Sequence, residues 1–379
     1  MNYSLFDNDN QVCEGVRNLT LVDEEEFLPN EVEVVIKAYV LPCVLAIGLF
    51  GNILFLIIVA RVQSIRTITN FYLVNLAVAD LIYLTVGVGE KLWRFQVSPL
   101  ANDHTPKGPI GCPTISFVID LAYNASILLI TAVTIERYYA ICKPFWHLKI
   151  TTWRRTRRIV FLNWTVSVVL AGVLVPGRCI MQYTCLIYPD DPSYDDFPTL
   201  SGICGTPWPF FLVLGNALEL IPFFIALFLN SVLYTNIIRS LTDRIKTDLS
   251  LHNDRCRYTK DRNTVTRMLV VSGVMFLLLH TPYHVVTLVF AIMGTLGADA
   301  YYSLHSEFSA YWPVFQTLMY INSASNAYIY GATNAKYRQA LCETFSRHQE
   351  EKKDAIDSIA KKSSTAPSTI SDDSPNDGH

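Results

Sequence analysis

Residues 112–145, CPTISFVIDLAYNASILLITAVTIERYYAICKPF, decide how this chain is built. After one cysteine come some twenty mostly apolar residues, and the run closes on Glu136-Arg137-Tyr138 and Pro144-Phe145. As a helix, the stretch from Cys112 to Arg137 is roughly 37 Å long. That exceeds a bilayer's apolar thickness of about 30 Å, so a tilted helix puts the cysteine at one face and the charge pair at the other. An oxidisable group at one end and charges at the other mark a polarised element, outside to inside.

Composition agrees with that reading. Of 379 residues, 51% are hydrophobic and only 17% charged, against about a quarter in soluble domains. The apolar residues cluster in runs too long for globular core helices, which indicates a polytopic membrane protein. Net charge of −3 matters less than how the charges sort by face. Seven spans are read at 36–60, 70–93, 111–142, 157–177, 207–238, 265–293 and 308–331, each near or above the roughly 20 residues needed to cross. Prolines 42, 176, 222 and 282 lie within four of them and are expected to kink them.

Loop charge sets the orientation. Residues 143–158 carry six Lys/Arg and no acid, and 239–267 carry eight. On the opposite side, 178–206 has Arg178 against four aspartates, and 296–307 has no Lys or Arg. By the positive-inside rule the N-terminus is outside and the C-terminus inside, a parity that seven spans satisfy. The fold expected is an all-α membrane protein, a seven-helix bundle at 36–333. An acidic outer segment, 1–35, precedes it, and a short amphipathic inner-surface helix, 334–345, follows with Tyr337, Leu341 and Phe345 on one face. The charged Ser/Thr-rich tail 346–379 has the composition of disorder.

Residues 1–34 carry nine carboxylates and one Arg, with neither a basic nor an apolar leader region, so span one is expected to act as the insertion signal. Asn18-Leu19-Thr20 is the reasonable glycosylation sequon, and Asn2-Tyr3-Ser4 is a second very near the terminus. Cys13, Cys112, Cys179, Cys185 and Cys204 fall outside and can oxidise; Cys142, Cys256 and Cys342 fall inside, and Cys342 is a candidate for palmitoylation.

Several polar residues recur at set depths. They are Gly51-Asn52, Asn75-Leu76-Ala77-Val78-Ala79-Asp80, Glu136-Arg137-Tyr138, Trp164, Pro222, Pro282 and Asn322-Ser323-Ala324-Ser325-Asn326-Ala327-Tyr328-Ile329-Tyr330, with Tyr337 following. In that order, over about 36–345, the chain resembles a rhodopsin-like (class A) G-protein-coupled receptor. The resemblance implies a sodium-binding cluster of Asp80, Ser126, Asn322, Ser323 and Asn326 near Asn52; a hydrogen-bonded structural network is the plainer use of the same residues. It implies that Glu136 holds Arg137 at rest, and that Ile127, Pro222 and Phe276 repack on activation. Arg137, Pro144 and Phe145, together with Tyr138 and Tyr330, would face a heterotrimeric G protein. Three positions depart from the family: His280 stands for the usual Trp before Pro282, Ala327 for the span-seven proline, and Asn230 for the span-five tyrosine.

Two ligand classes are excluded by residue. Opsins need a Schiff-base lysine in span seven, and Tyr320 stands in its place; amine receptors place an Asp where this chain has Ile119, with Asp120 one step off. Instead the outer half offers carboxylates, Glu90, Asp120, Glu219 and Asp190, Asp191, Asp195 and Asp196 of the long loop. Aromatic residues such as Trp93, Tyr123, Tyr183, Tyr188, Trp208, Tyr301, Tyr302 and Trp312 interleave with them. This suits a short cationic peptide, steered by charge and held by cation–π contacts, and the loop length favours a β-hairpin as in peptide receptors. Pro222…Leu229-Asn230 is similar to invertebrate receptors for amidated FMRFamide- and myosuppressin-like peptides. Glu90 and Asp120, at similar outer depth, are expected to be unpaired and to bind an arginine, with an amidated aromatic end descending toward Tyr123, Phe276 and His280. His284 and Tyr320 complete the expected ligand contacts.

Cys112 is expected to bond to the 178–206 loop, with Cys185 the first choice and Cys204 the alternative, and Cys179 with the unused partner as a second bridge. No cofactor is expected beyond an allosteric sodium ion. The expected partners are an extracellular peptide, a G protein, the bilayer, and an arrestin and receptor kinase at Ser363, Ser364, Thr365, Ser368, Thr369, Ser371 and Ser374; nucleic acid is not among them. A seven-span transporter would show internal repeats or broken mid-membrane helices. A membrane hydrolase would need a third ligand beside His280 and His284. Neither feature is visible in the sequence. A receptor for a neutral or lipid ligand is the alternative within the receptor class.

Overall fold

A computed structural model describes residues 13, 15–19, 28–206, 208–250, 256–296, 311–333 and 335–344. The first sequon, Tyr301, Tyr302, Phe345 and the phosphorylatable tail lie outside the described residues. Eight helices organise the described residues: α1 (Glu31–Arg61), α2 (Ile68–Val97), α3 (Gly108–Cys142), the short α4 (Pro144–Ile150), α5 (Trp153–Leu174), α6 (Pro209–Ser250), α7 (Cys256–Leu296) and α8 (Trp312–Thr333). A further helix, α9, covers 335–344. Among the described residues six helices are long and apolar enough to cross a membrane. The seventh long one, α8, carries Asn322, Ser323, Ser325 and Asn326 and is more polar.

Their faces show why they bundle. In α1 the buried positions Leu41, Val44, Gly48, Asn52, Phe55 and Val59 recur every three or four residues, which is one side of a helix. The other side is also apolar, with Ile47, Phe50, Ile53 and Ile57 exposed. A helix that is hydrophobic all round is either wholly buried or faces lipid, and these exposed faces are of the second kind. Phe161 on α5, Phe228 on α6 and Leu278 on α7 continue the belt. In contrast α3 is buried on every side through its middle, from Ala122 to Thr134. It packs against α2, α5, α6 and α7, while α8 closes the ring against α1 and α7.

Caps place the helix starts: Thr67 Oγ1 accepts from Asn70 N (3.2 Å), and Thr152 Oγ1 from Arg155 N (3.3 Å). Arg338 Nη1 donates to the last carbonyls of α8, at Gly331 (3.2 Å) and Ala332 (3.0 Å). Pro176 does not kink a helix: α5 ends at Leu174 and Pro176 sits in the 3₁₀ turn that follows, as a residue without an N–H would. Pro42 follows a π turn at Ile36–Val40, whereas Pro222 and Pro282 lie inside α6 and α7. α6 outlasts the span read from hydropathy because residues 239–250 contain no Pro or Gly to stop it. α9 buries Tyr337, Ala340 and Thr344, and the Tyr337 ring stacks on Phe55 of α1 at 5.7 Å.

A three-stranded sheet caps one end. β2 (Ile180–Ile187) and β3 (Leu200–Gly205) form an antiparallel hairpin with Cys185 opposite Leu200, and β1 (Gly15–Asn18) lies parallel to β2 with Val16 opposite Cys185. Cys112, at the end of α3, is bonded to Cys204, and Cys185 is bonded to Cys13. The expected first choice, Cys112 with Cys185, is therefore corrected to its alternative. Position along the strands explains it: Cys204 stands opposite Met181, whose sulfur is 3.9 Å from that of Cys112, whereas Cys185 lies four residues further along β2, beside β1. Cys179 is free, its thiol donating to the Pro176 carbonyl (3.3 Å). Asn18 is half-buried in β1 beside Ile187.

Candidate functional site

The inward side chains of α3 form a ladder of successive turns, Asp120, Tyr123, Ser126–Ile127, Thr131 and Thr134, each engaging a different neighbour. At the top, toward the disulfides, Asp120 receives Arg178 Nη1 at 3.1 Å (Oδ2) and 3.4 Å (Oδ1). Arg178 Nη2 reaches Glu219 Oε2 of α6 at 3.3 Å, and Tyr283 of α7 donates to Glu219 Oε1 at 3.0 Å. Asp120 is thus not the unpaired carboxylate expected. Glu90 is not unpaired either: Arg94, one turn along α2, donates through Nε to Oε1, and Lys107 Nζ lies 2.8 Å from the same oxygen. Lys91, adjacent in sequence, faces elsewhere, but Arg94 at i+4 is placed to pair. Two charge clusters of opposite balance result. Asp120, Glu219 and Arg178 carry one formal negative charge in excess, and Glu90, Arg94 and Lys107 one positive.

The connection into α3 is tied to β3. Asp103 Oδ1 accepts from Thr105 Oγ1 (2.6 Å) and Gly202 N (3.1 Å), while its carbonyl accepts from Arg94 Nη1 (3.0 Å). His104 Nδ1 accepts from Cys204 N at 3.2 Å. Burial, followed by the cations Lys107 and Arg94, holds the His104 imidazole down at about 3, so it stays the neutral acceptor that this bond requires.

One turn below Asp120, Tyr123 Oη and His284 Nε2 are hydrogen-bonded. The His284 ring stacks on Phe223 at 4.0 Å, and its Nδ1 is buried without a partner. His280, in place of the usual tryptophan, accepts or donates at Phe276 O (3.0 Å) and packs on the Phe276 ring at 4.3 Å. Tyr320 packs on Tyr83 at 5.1 Å, and Tyr83 in turn on Tyr123 at 6.2 Å. Ile127, Phe223 and Phe276 are fully buried in one core cluster; Pro222 is only half-buried beside it.

At the next level Asp80 accepts from Asn326 Nδ2 (2.8 Å) and from Ser126 Oγ (3.4 Å). Asn326 Oδ1 accepts from Ser272 of α7 (3.1 Å), and Asn52 Nδ2 donates to the Ser323 carbonyl (3.1 Å). The Asn322 side chain, wholly buried beside them, has no partner at either polar atom. Trp164 Nε1 donates to Asn75 Oδ1 (3.2 Å) and so ties α5 to α2.

Near the opposite end Asn230 Nδ2 donates to Thr131 Oγ1 (3.0 Å), and Tyr234, one turn further, is hydrogen-bonded to Thr134 Oγ1 (2.7 Å). Gly273 of α7 makes room for that tyrosine, because a Cβ there would lie 1.8 Å from the Tyr234 oxygen. The expected Glu136–Arg137 pair is not formed. Glu136 Oε1 accepts from Thr151 (3.0 Å) and is bonded to His147 Nε2 (2.9 Å), while Arg137 Nε is buried without a partner. Adjacent helix residues do not face one another, which is the physical reason. Tyr138 packs beside Tyr234 and Ile237; Tyr330 packs on Phe55 at 5.4 Å, with its hydroxyl unpartnered. On α4, which opens at Pro144, Phe145, Trp146 and Leu148 are all exposed, Phe145 at 83%.

Sequence reasoning missed Arg94, Lys107, Arg178, Tyr283, Phe223, Ser272, Tyr234, His147 and Thr151. Of these Arg94, four residues after Glu90, carried a local signal. No cluster of three or more His, Cys, Asp or Glu suited to a metal occurs among the described residues.

A family model described as 7 transmembrane receptor (rhodopsin family) matches residues 51–330. Neuromedin-U receptor 2 of Mus musculus is 31% identical over 304 residues, covering 79% of this chain and 72% of its own. The thyrotropin-releasing hormone receptor of Gallus gallus is 29% identical over 373 residues, covering 90% and 86%. The human thyrotropin-releasing hormone receptor is 28% identical over 348 residues, covering 86% and 81%.

Proposed function

This chain belongs to the rhodopsin family of seven-transmembrane receptors, a family of receptors and not of enzymes, and from that premise we propose how it works. It is a peptide-activated G-protein-coupled receptor, as its neuromedin-U and thyrotropin-releasing hormone receptor relatives are by name. It lies in the plasma membrane with the disulfide-capped end outside. Its ligand is a short cationic peptide, and the observation that carries this is the excess carboxylate of the Asp120–Glu219 pair beneath the hairpin. Glu90, neutralised by Arg94 and Lys107, is reassigned from arginine receptor to the support of that end. Tyr123, His280, His284 and Tyr320 form the aromatic floor on which the peptide's end rests. The amidated-peptide subgroup rests on the Pro222…Asn230 pattern alone.

Asp80, Ser126, Ser323 and the unpartnered Asn322 Oδ1 supply buried carboxylate, hydroxyl and carbonyl oxygens, a donor set that fits a hard cation. These residues would hold a sodium ion, which when bound neutralises Asp80. At the inner end, Arg137, Tyr138, Tyr330 and the exposed Phe145 meet the G protein. Cys342, exposed on α9, suits palmitoylation, and the tail 346–379 receives the kinase and arrestin. The test is calcium and cAMP response of the full-length receptor to a panel of short peptides with and without arginine. Responses confined to the basic members support the reading. Equal responses to neutral peptides or lipids overturn it.

A further inference from the structure

The Asp120–Arg178–Glu219 cluster is assembled from unlike parts. The two carboxylates and Tyr283 stand on α3, α6 and α7, three helices of the bundle wall. Arg178 does not. It ends the 3₁₀ turn after α5 and runs directly into the hairpin, two residues before β2 begins. The hairpin is itself fastened by both disulfides, through Cys185 and Cys204. The cation is therefore delivered on a short lead from the cap, while its receptor is built into the bundle.

Three further observations bear on how firmly it is held. Its contacts, 3.1 to 3.4 Å, are all longer than the 2.7–2.9 Å typical of charge-assisted bonds. The cluster keeps one formal negative charge in excess. The Arg178 side chain is 37% exposed against 13% for Asp120 and 15% for Glu219, so the arginine covers the carboxylates on the side that solvent reaches. The carboxylates receive the guanidinium at two points, Asp120 taking Nη1 through both oxygens and Glu219 taking Nη2 through Oε2, with Tyr283 holding Glu219 Oε1. That geometry selects a guanidinium over a spherical ammonium.

The geometry points to Asp120, Glu219 and Tyr283 as a guanidinium subsite that the receptor fills with its own Arg178, and from which an arginine side chain of the ligand displaces it. The inference rests on the cationic-peptide reading for its ligand, and it adds the occupant and the exchange. An incoming arginine replaces one salt bridge with another. Binding gains less than bare carboxylates would give, and the released Arg178 unties the start of β2 from Asp120 and Glu219, while the Cys112–Cys204 bond still holds β3 to α3. Peptide occupancy is thereby coupled to the position of the cap.

The test needs no knowledge of the peptide. Full-length receptor in nanodiscs is compared as wild type, Arg178→Ala and Arg178→Ala/Asp120→Asn, with methylguanidinium as probe and tetramethylammonium as control. The expected result is that Arg178→Ala melts below wild type and that millimolar methylguanidinium, not tetramethylammonium, raises its melting temperature toward the wild-type value. Wild type, its subsite filled, and the double variant, its subsite damaged, do not respond. Absence of rescue, or equal stabilisation of all three proteins, overturns the inference. Should Arg178→Ala not fold, Arg178→Gln is treated the same way; failure of both to fold even with methylguanidinium makes Arg178 a fixed structural residue and also overturns it. Rescue together with no response to any basic peptide leaves the subsite standing and removes the cationic-peptide reading alone.

Discussion

Gly273 is the position where the smallest change has the most to displace. A Cβ on it would lie 1.8 Å from the Tyr234 oxygen and 2.1 Å from Cζ, both far inside contact distance. Tyr234 is buried, so in Gly273→Ala its ring moves and gives up the 2.7 Å bond to Thr134. The lost hydrogen bond costs about 1 kcal/mol, and forcing a buried ring aside about 1–3 kcal/mol. Alanine's better helix propensity returns about 1 kcal/mol. The balance is a net loss of about 1–3 kcal/mol, a melting temperature lowered by a few degrees in a chain of this size. Thermal unfolding of the receptor in nanodiscs measures it. Adding Tyr234→Ala removes the clash, so the double variant should melt no lower than Tyr234→Ala alone, a marked departure from additivity. A Gly273→Ala receptor that melts at or above wild type, or a double variant carrying the sum of both losses, refutes the reasoning.

Other outcomes follow from the same geometry. Peptide mapping of the non-reduced protein should find Cys13 linked to Cys185 and Cys112 to Cys204, with Cys179 open to alkylation. Phe145→Ala should reduce G-protein activation at unchanged surface expression, because it removes an exposed apolar side chain that nothing in the bundle covers. Asp80→Asn should abolish any effect of sodium on peptide affinity, read by radioligand competition with and without sodium. His104, held near 3 in the fold and near 6.5 when unfolded, binds more protons in the unfolded state between those values. Stability should therefore fall as pH drops below about 6.5, and His104→Gln should flatten that slope in melting curves.

Much of the bundle is legible in the chain because its signal is local. An apolar run of some twenty residues announces a span wherever it lies, and Asn75, Asp80, Trp164 and Asn326 sit at the depths that bring them together. Ion pairing is not local, and there the reading fails unevenly. Arg94 is four residues from Glu90 on one helix and was available to the same periodicity that dismisses Lys91. That periodicity also argues against Glu136 holding Arg137, since neighbours in sequence diverge by about 100° around a helix. Arg178 is different. Only the fold brings a residue from the end of α5 between α3 and α6, and in the sequence Arg178 enters only the count of loop charges that sets the orientation. Gly15-Val16-Arg17-Asn18 likewise has too little apolar pattern to declare a strand; it becomes one because β2 offers an edge and Cys185 a bond.

The joining of β1 to β2 sets a problem of timing for the ribosome. Cys13 is made first and its partner 172 residues later, a wait of about 10–30 s at ordinary elongation rates. Cys112 appears on the same side of the membrane well before Cys185 or Cys204 does. An oxidising lumen therefore meets Cys13 and Cys112 as its first available couple, and that couple is the wrong one. The native cap is completed either by breaking such a bond, which is thiol exchange, or by delaying it until Cys185 and Cys204 arrive. Where exchange is the route, cells poor in disulfide isomerase should accumulate a full-length chain whose mouth is sewn shut in the wrong order, Cys13 to Cys112.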